Sequence, residues 1–387
     1  MQSRPQIDQL MRRSDRRSAG GPATTVLPPC PSPVQKADLR LVIHDYSGHP
    51  GQVHLSRELA RRGHHVEHQY CASYTTGRGA TRRCEGDPES FGVRAIELGS
   101  EFARYSPVAR LRQELQYARM SARAILAARP DVAVLSNIPL LSLFILTLLL
   151  RTRRVPYVFW QQDIYSEAIR VIARDRFGQL GWLIGWVAGR VERQVARGAA
   201  AVVAISDTVI EQLDGWGVQK SKVHVVPNWG AVDEMPLRPR DNAWAKAHGL
   251  VGMPVVMYAG TLGLKHDPSV ISRLSQTAPT GSHTVVLPPD NAVAHMVEAA
   301  EAGLVVAPGD ADAASAALRN LLSSTAARDR MGTAARRYAE RTFDVGRVGE
   351  RFESSLCDIK KGRQGEDLAS RTRTRDLTDT HRLTAET

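Results

Sequence analysis

Residues 258–271 read YAGTLGLKHDPSVI, with Gly260, Thr261 and Lys265 between an apolar run and a helix start. Asp267 stands where a helix N-cap belongs and Pro268 at the first helical position. A strand, a glycine loop and a helix N-terminus together make an anion seat: free amides point outward and the helix dipole favours negative charge. Lys265 adds a full positive charge there. The pattern fits the diphosphate of a nucleotide-linked substrate, and fits equally an ordinary strand-to-helix turn with a surface lysine.

Other polar residues stand at strand ends. Gly48 and Gly51 lie in the first loop, HDYSGHPGQ, where close backbone approach to phosphates and plain turn geometry are both readings. His44 and His49 flank that loop; a lone strand-end histidine is more often structural. Asp163 ends the run VFWQQD and could polarise an acceptor hydroxyl or cap the following helix. Ser206 reads as a helix cap and Asn228 as a turn residue. Glu298 and Glu301 fall on a solvated helix face.

The elements that must position these groups alternate. Strands are expected near 39–43, 65–70, 93–98, 131–135, 155–160, 201–205 and 223–226. Helices are expected at 53–63, 108–128, 138–150, 180–197 and 207–213. Such alternation implies a parallel sheet covered on both faces. A second α/β unit follows, with strands at 255–259, 284–287 and 304–306 and helices at 268–276, 291–301, 311–322, 325–341 and 345–357. The expected division is a disordered tail at 1–37, a first domain at 38–235, a second at 236–357 and a disordered tail at 358–387.

The chain has 387 residues, 43% hydrophobic and 24% charged, with formal net charge +11. Residues 1–37 hold six Lys/Arg against two Asp/Glu and 361–387 six against five, which leaves +6 for the body. A basic body suits anionic partners. No helix-turn-helix, RNA-recognition or zinc signature accompanies it, so nucleic acid is not expected as a partner. Four cysteines without metal-ligand spacing fit a reduced, cytoplasmic setting. The apolar run 138–150 is too short to span a bilayer. The arginines of 108–128 (Arg110, Arg112, Arg119, Arg123) fit an anionic membrane surface and a plain solvated face equally well.

The ordered motifs resemble the GT-B glycosyltransferases, specifically the retaining family 4 enzymes of polysaccharide and O-antigen synthesis. LRLVIHDYSGHPGQVHLSRELARRGHHV resembles that family's first strand, glycine loop and helix. VFWQQDIY resembles its active-site strand end, and AISDTVIEQLDGWGVQKSKVHVVPNWGAVD its crossover. YAGTLGLKHDPSVI and LPPDNAVAHMVEAAEAGLVVAPGD resemble its donor half. The resemblance covers roughly residues 39–357. It implies two Rossmann-like domains facing a cleft between 44–52 and 260–268. It also implies a nucleotide-sugar donor, a glycan or lipid-linked acceptor, no metal cofactor, and work in the cytoplasm or at the inner membrane face. Gly48, Gly260, Thr261 and Lys265 would hold the donor diphosphate, and Asp163 would be the catalytic carboxylate on the acceptor side.

Three departures stand out. Thr261 occupies the place where the family usually has an arginine. Gln162 stands where many members have a histidine. The stretch from Ser275 to His283 leads straight into Thr284-Val285-Val286-Leu287, so the second domain is expected to lack about two strand–helix units. That shortness supports a rival reading, a non-catalytic remnant with an intact acceptor domain, and an expectation of weak or absent activity.

Overall fold

Several strands hold unbroken apolar runs, LVI in the first, VAVL in the fourth and AVVA in the sixth, which suits strands covered on both faces. The computed structural model describes residues 38–74, 77–99, 107–230, 232, 235–239, 241–252, 285–286, 292–307 and 310–360. Seven strands form one all-parallel sheet: β1 (Arg40–Asp45), β2 (His65–Cys71), β3 (Phe91–Ile96), β4 (Val132–Ser136), β5 (Tyr157–Gln161), β6 (Ala201–Ala204) and β7 (Val223–Val225). Their order is β3-β2-β1-β4-β5-β6-β7. Leu41 pairs with both Val66 and Val132, so β1 is an interior strand between β2 and β4.

Helices cover both faces. On one side lie α2 (Pro107–Ala128), α3 (Leu140–Thr152), the second half of α4 (Tyr165–Gly198) and α5 (Ile210–Gly215). Their Tyr117, Ile125, Leu146, Val195 and Leu213 pack on Val42, Leu135, Phe159 and Val202. On the other side, Leu55 and Leu59 of α1 (Pro50–Arg61) meet Leu41, Ile43 and Val134. Each such fully buried side chain contributes roughly 1.5–3 kcal/mol. Pro50 sits in the first turn of α1, His49 caps it, and Gly63, at φ +102°, lies just past its end.

The last described helix, residues 345–360, was expected to close the second α/β unit at 357. Instead it packs Phe352 and Leu356 on the first sheet and continues to 360. Glu353 holds it there, accepting from Arg62 Nε at 2.7 Å and lying 3.2 Å from His64 Nε2. Lys360 Nζ donates to the carbonyl of Asp38 at 3.0 Å.

A helix was expected only over 180–197. The helical segment starts earlier, at Tyr165, and turns at Gly178, whose φ/ψ of 53°/−121° is not helical. The two halves fold back on each other. A Cβ on Gly181 would overlap the Ala173 carbonyl, and one on Gly185 would stand 2.8 Å from Arg170 Cβ. Glu192, buried in the second half, accepts from the amides of Tyr165 and Ser166 at 2.9 and 2.8 Å and so caps the first half.

In the second part, β8 (Val285–Val286) and β9 (Val305–Val306) pair in parallel. The described helices there are α6 (Ala243–Ala247), α7 (Ala292–Ala299), α8 (Ala311–Ser323) and α9 (Thr325–Thr342). Asp310 and Ser324 cap the last two through the amides of Ala313 and Ala327. The strand expected at 255–259 and the helix at 268–276 lie outside the described residues.

Two histidines are locked inside the sheet layers. His44 lies between Gln69 Oε1 at 3.2 Å and the Tyr117 hydroxyl at 2.9 Å. His68 lies 2.8 Å from Ser56 Oγ. Burial pushes His44 down to about 4 and His68 to about 3. Both pKa values are depressed, so the unfolded chain binds more protons below about 6.5 and stability falls as pH drops from there toward 4. Urea unfolding between pH 7.5 and 5 is expected to show this loss, about 2 kcal/mol per histidine at pH 5. His68→Asn should flatten the acid limb; an unchanged slope would contradict the assignment.

Candidate active site

The strand order reverses between β1 and β4, and in open parallel sheets the crevice outside such a switch point binds ligands. Here that crevice is a recess of about 330 Å³ lined by His49, Gly51, Gln52, Asn137, Gln162, Asp163, Ile205, Asn228 and Trp229. Every one follows the carboxyl end of a strand: β1, β4, β5, β6 or β7. A larger depression of about 680 Å³ runs over β2 and β3 from Arg40 and His65 to Thr81. It is an open surface away from the switch point, and we assign it no chemistry.

Asp45 holds together two of the loops that line the recess. Its fully buried carboxylate accepts from the His49 amide at 2.5 Å, the Ser47 hydroxyl at 3.1 Å and Asn137 Nδ2 at 2.8 Å. Burial pushes its pKa up, while the hydrogen bonds from Asn137, His49 and Ser47 pull it back. These bonds tie the β1 loop to the β4 loop. Asn137 sits at φ +55°, a left-handed position that asparagine tolerates. His49 Nδ1 then accepts from the Gly51 amide at 3.2 Å, which starts α1 facing the recess.

The polar atoms around the recess are incompletely used. Gln52 Nε2 reaches Ser136 Oγ at 3.5 Å, but its Oε1 has no partner among the described residues. Gln162 Oε1 accepts from Asn228 Nδ2 at 3.0 Å, and its Nε2 has no described partner. The same is true of Trp229 Nε1, on a ring stacked at 5.5 Å over Trp160. Buried polar atoms left open in this way cost stability unless something meets them. Among the described residues that line the recess none is a lysine or arginine.

Asp163 is exposed at the rim and makes no hydrogen bond or ion pair among the described residues. It does not cap α4: the cap position is Ile164, and Glu192 holds the first amides. That removes the capping explanation for this carboxylate. Gly48 lies off the recess. At φ +67° it closes the β1 loop, its carbonyl accepts from the Gly79 amide at 2.9 Å, and a Cβ there would meet Thr81 Cγ2 at 3.1 Å. Gly51 lines the recess in its place. His44 is buried away from it, and Ser206 caps the turn before α5 as expected. Asn228, read as a turn residue, lines the recess. Gly260, Thr261 and Lys265 lie outside the described residues, and so does the expected cleft wall at 260–268.

Asp45, Gln52, Asn137 and Trp229 were not singled out from the sequence. The available signal was position: Asp45 and Asn137 end apolar runs that alternate with helices. Gln52 and Trp229 carry no local mark.

Residues 50–229, which hold every residue of the recess except His49, match the glycosyl transferase 4-like domain family. No curated protein matches the chain in sequence. Among solved structures, sucrose-phosphate synthase from Thermosynechococcus elongatus is similar at TM-score 0.60 and 14% identity, covering 83% of this chain and 99% of that one. Anabaena HepE in complex with UDP is similar at TM-score 0.56 and 15% identity, covering 82% of this chain and 100% of that one. HepE in complex with UDP-glucose gives TM-score 0.55 at 15% identity, covering 83% and 100%. At these identities the likeness bears on the fold: an α/β architecture with the parallel sheet that the alternating elements implied, Rossmann-like and of the GT-B kind that the resemblance implied.

If Asp45 fixes the loops, Asp45→Ala should cost roughly 2–3 kcal/mol, because three donors lose a buried acceptor. Asp45→Asn should cost less, keeping one acceptor oxygen. Chemical unfolding of the three chains checks this; an Asp45→Ala chain as stable as the parent would show that the loops are held otherwise.

Proposed function

We propose that the chain is a glycosyltransferase that moves a sugar from a nucleoside-diphosphate sugar to a hydroxyl of a glycan or lipid-linked acceptor, with retention at the anomeric carbon. The carrying observation is the polar recess at the switch point, set inside the stretch that matches a glycosyltransferase domain family. The similar HepE structures, in complex with UDP and with UDP-glucose, support a nucleotide sugar as donor. Polysaccharide synthesis for the cell envelope is the setting that the sequence resemblance suggests.

In this reading the bond from the anomeric carbon to the diphosphate oxygen breaks and one to the acceptor oxygen forms on the same face. The acceptor proton ends on the departing diphosphate. Asp163 orients the acceptor hydroxyl and steadies the positive charge that develops on the sugar. Gly48 and Gly51 shape the loop that approaches the donor. Gly260, Thr261 and Lys265, with the helix start at Asp267-Pro268, take the diphosphate; Lys265 supplies the positive charge that the described lining lacks. No metal is assigned. The short stretch 250–356 supports the rival remnant reading, in which only the acceptor domain is intact and the donor nucleotide is not held.

Calorimetry with uridine and guanosine diphosphates separates the two. Micromolar binding of one nucleotide, weakened roughly 30- to 1,000-fold by Lys265→Ala, is the expected result. Asp163→Asn should leave that binding within about twofold, because its contribution is made in the transition state. Binding of neither nucleotide would overturn the enzyme reading and leave the remnant.

A further inference from the structure

The α4 hairpin is built with its small residues inside and its large apolar residues outside. Gly181 and Gly185 of the second half press on Ala173 and Arg170 of the first, a seam with room for no side chain. The outward positions carry Ile172 at 66% exposure, Trp182 at 57% and Trp186 at 49%, with Val171, Phe177 and Leu180 beside them. A helix pair that folds in water normally turns its apolar stripe inward. Small residues in the seam and large apolar ones outside is the pattern of helices that meet lipid. So many exposed apolar side chains on one element exceed the scatter ordinary for a soluble surface.

The charge on the hairpin points the same way. Residues 165–198 hold six arginines against three acidic residues. One of the three, Glu192, is buried and committed to the amides of Tyr165 and Ser166. The guanidinium of Arg176 lies 5.7 Å from the Phe177 ring, and that of Arg190 lies 5.2 Å from the Trp186 ring. Cations therefore edge the apolar surface, and tryptophan is a residue that settles at the membrane–water boundary. No helix among the described residues is long and apolar enough to cross a membrane.

We propose that the outer surface of this hairpin seats the protein on a membrane leaflet bearing anionic phospholipids, lying in the headgroup region without spanning. A second copy of the chain fits less well: a two-fold contact through this surface would gather the exposed Arg174, Arg176 and Arg190 of both copies into one interface. The surface lies outside the α2 arginines that the sequence alone suggested, and the inference does not depend on the sugar chemistry.

The test is co-sedimentation of the full chain with vesicles of phosphatidylcholine alone and of phosphatidylcholine with phosphatidylglycerol. Binding is expected to the anionic vesicles and to weaken with added salt. Trp182→Ser with Trp186→Ser should reduce partition at least about tenfold while circular dichroism and the unfolding midpoint stay unchanged. Arg174→Ser with Arg176→Ser should reduce it about tenfold on anionic vesicles only. Equal binding to both vesicle types, no binding, or full binding by the folded tryptophan variant would each overturn the proposal. So would light scattering that shows a dimer which the tryptophan substitutions dissolve while vesicle binding stays intact.

Discussion

A parallel sheet buried on both faces leaves the chain one way to be wound from the middle outward. It must leave β1 toward β2 on one side and later return to β4 on the other. The two loops that follow β1 and β4 then diverge, and the gap between them can be filled only by side chains or by a ligand. Everything assigned to the candidate site follows from that gap. Asp45 bridges it through Asn137 and the His49 amide. The recess stays open.

Two buried carboxylates do comparable structural work at a distance from one another. Asp45 gathers donors from two loops, and Glu192 gathers the first amides of the α4 hairpin. Burial pushes both pKa values up, and the donors around each act against that push. Such arrangements are costly to assemble and strongly directional. They fix where the chain turns more sharply than apolar contact can. One consequence is that Asp163, two residues before the hairpin, is released from capping and stands at the rim.

Among the described residues, the strands and most helices were legible to within a residue or two, because buried parallel strands read as short apolar runs separated by helical periods. The first half of the hairpin was not legible. Val171 and Ile172 are apolar but face outward, so the period that marks burial is missing there. The position of 345–360 was also hidden: Glu353 and His64 meet across 289 residues, and nothing local signals it. Within the site, Asp163 was visible as a carboxylate ending an apolar strand. Asp45 was masked by the run LVIHD, where it looked like ordinary strand-end punctuation, and Trp229 acquires its place only when β5 and β7 bring Trp160 beneath it.

The central proposal is that the recess at the β1/β4 switch point and the loop at 258–268, which lies outside the described residues, take one nucleotide. Amide hydrogen exchange read by mass spectrometry, with and without the nucleoside diphosphate, tests it most directly. Protection is predicted in peptides covering 49–52, 161–163 and 228–229, and in the peptide covering 258–268. Protection confined to 65–95, along the larger depression over β2 and β3, or absent from 49–52 and 161–163, would contradict it.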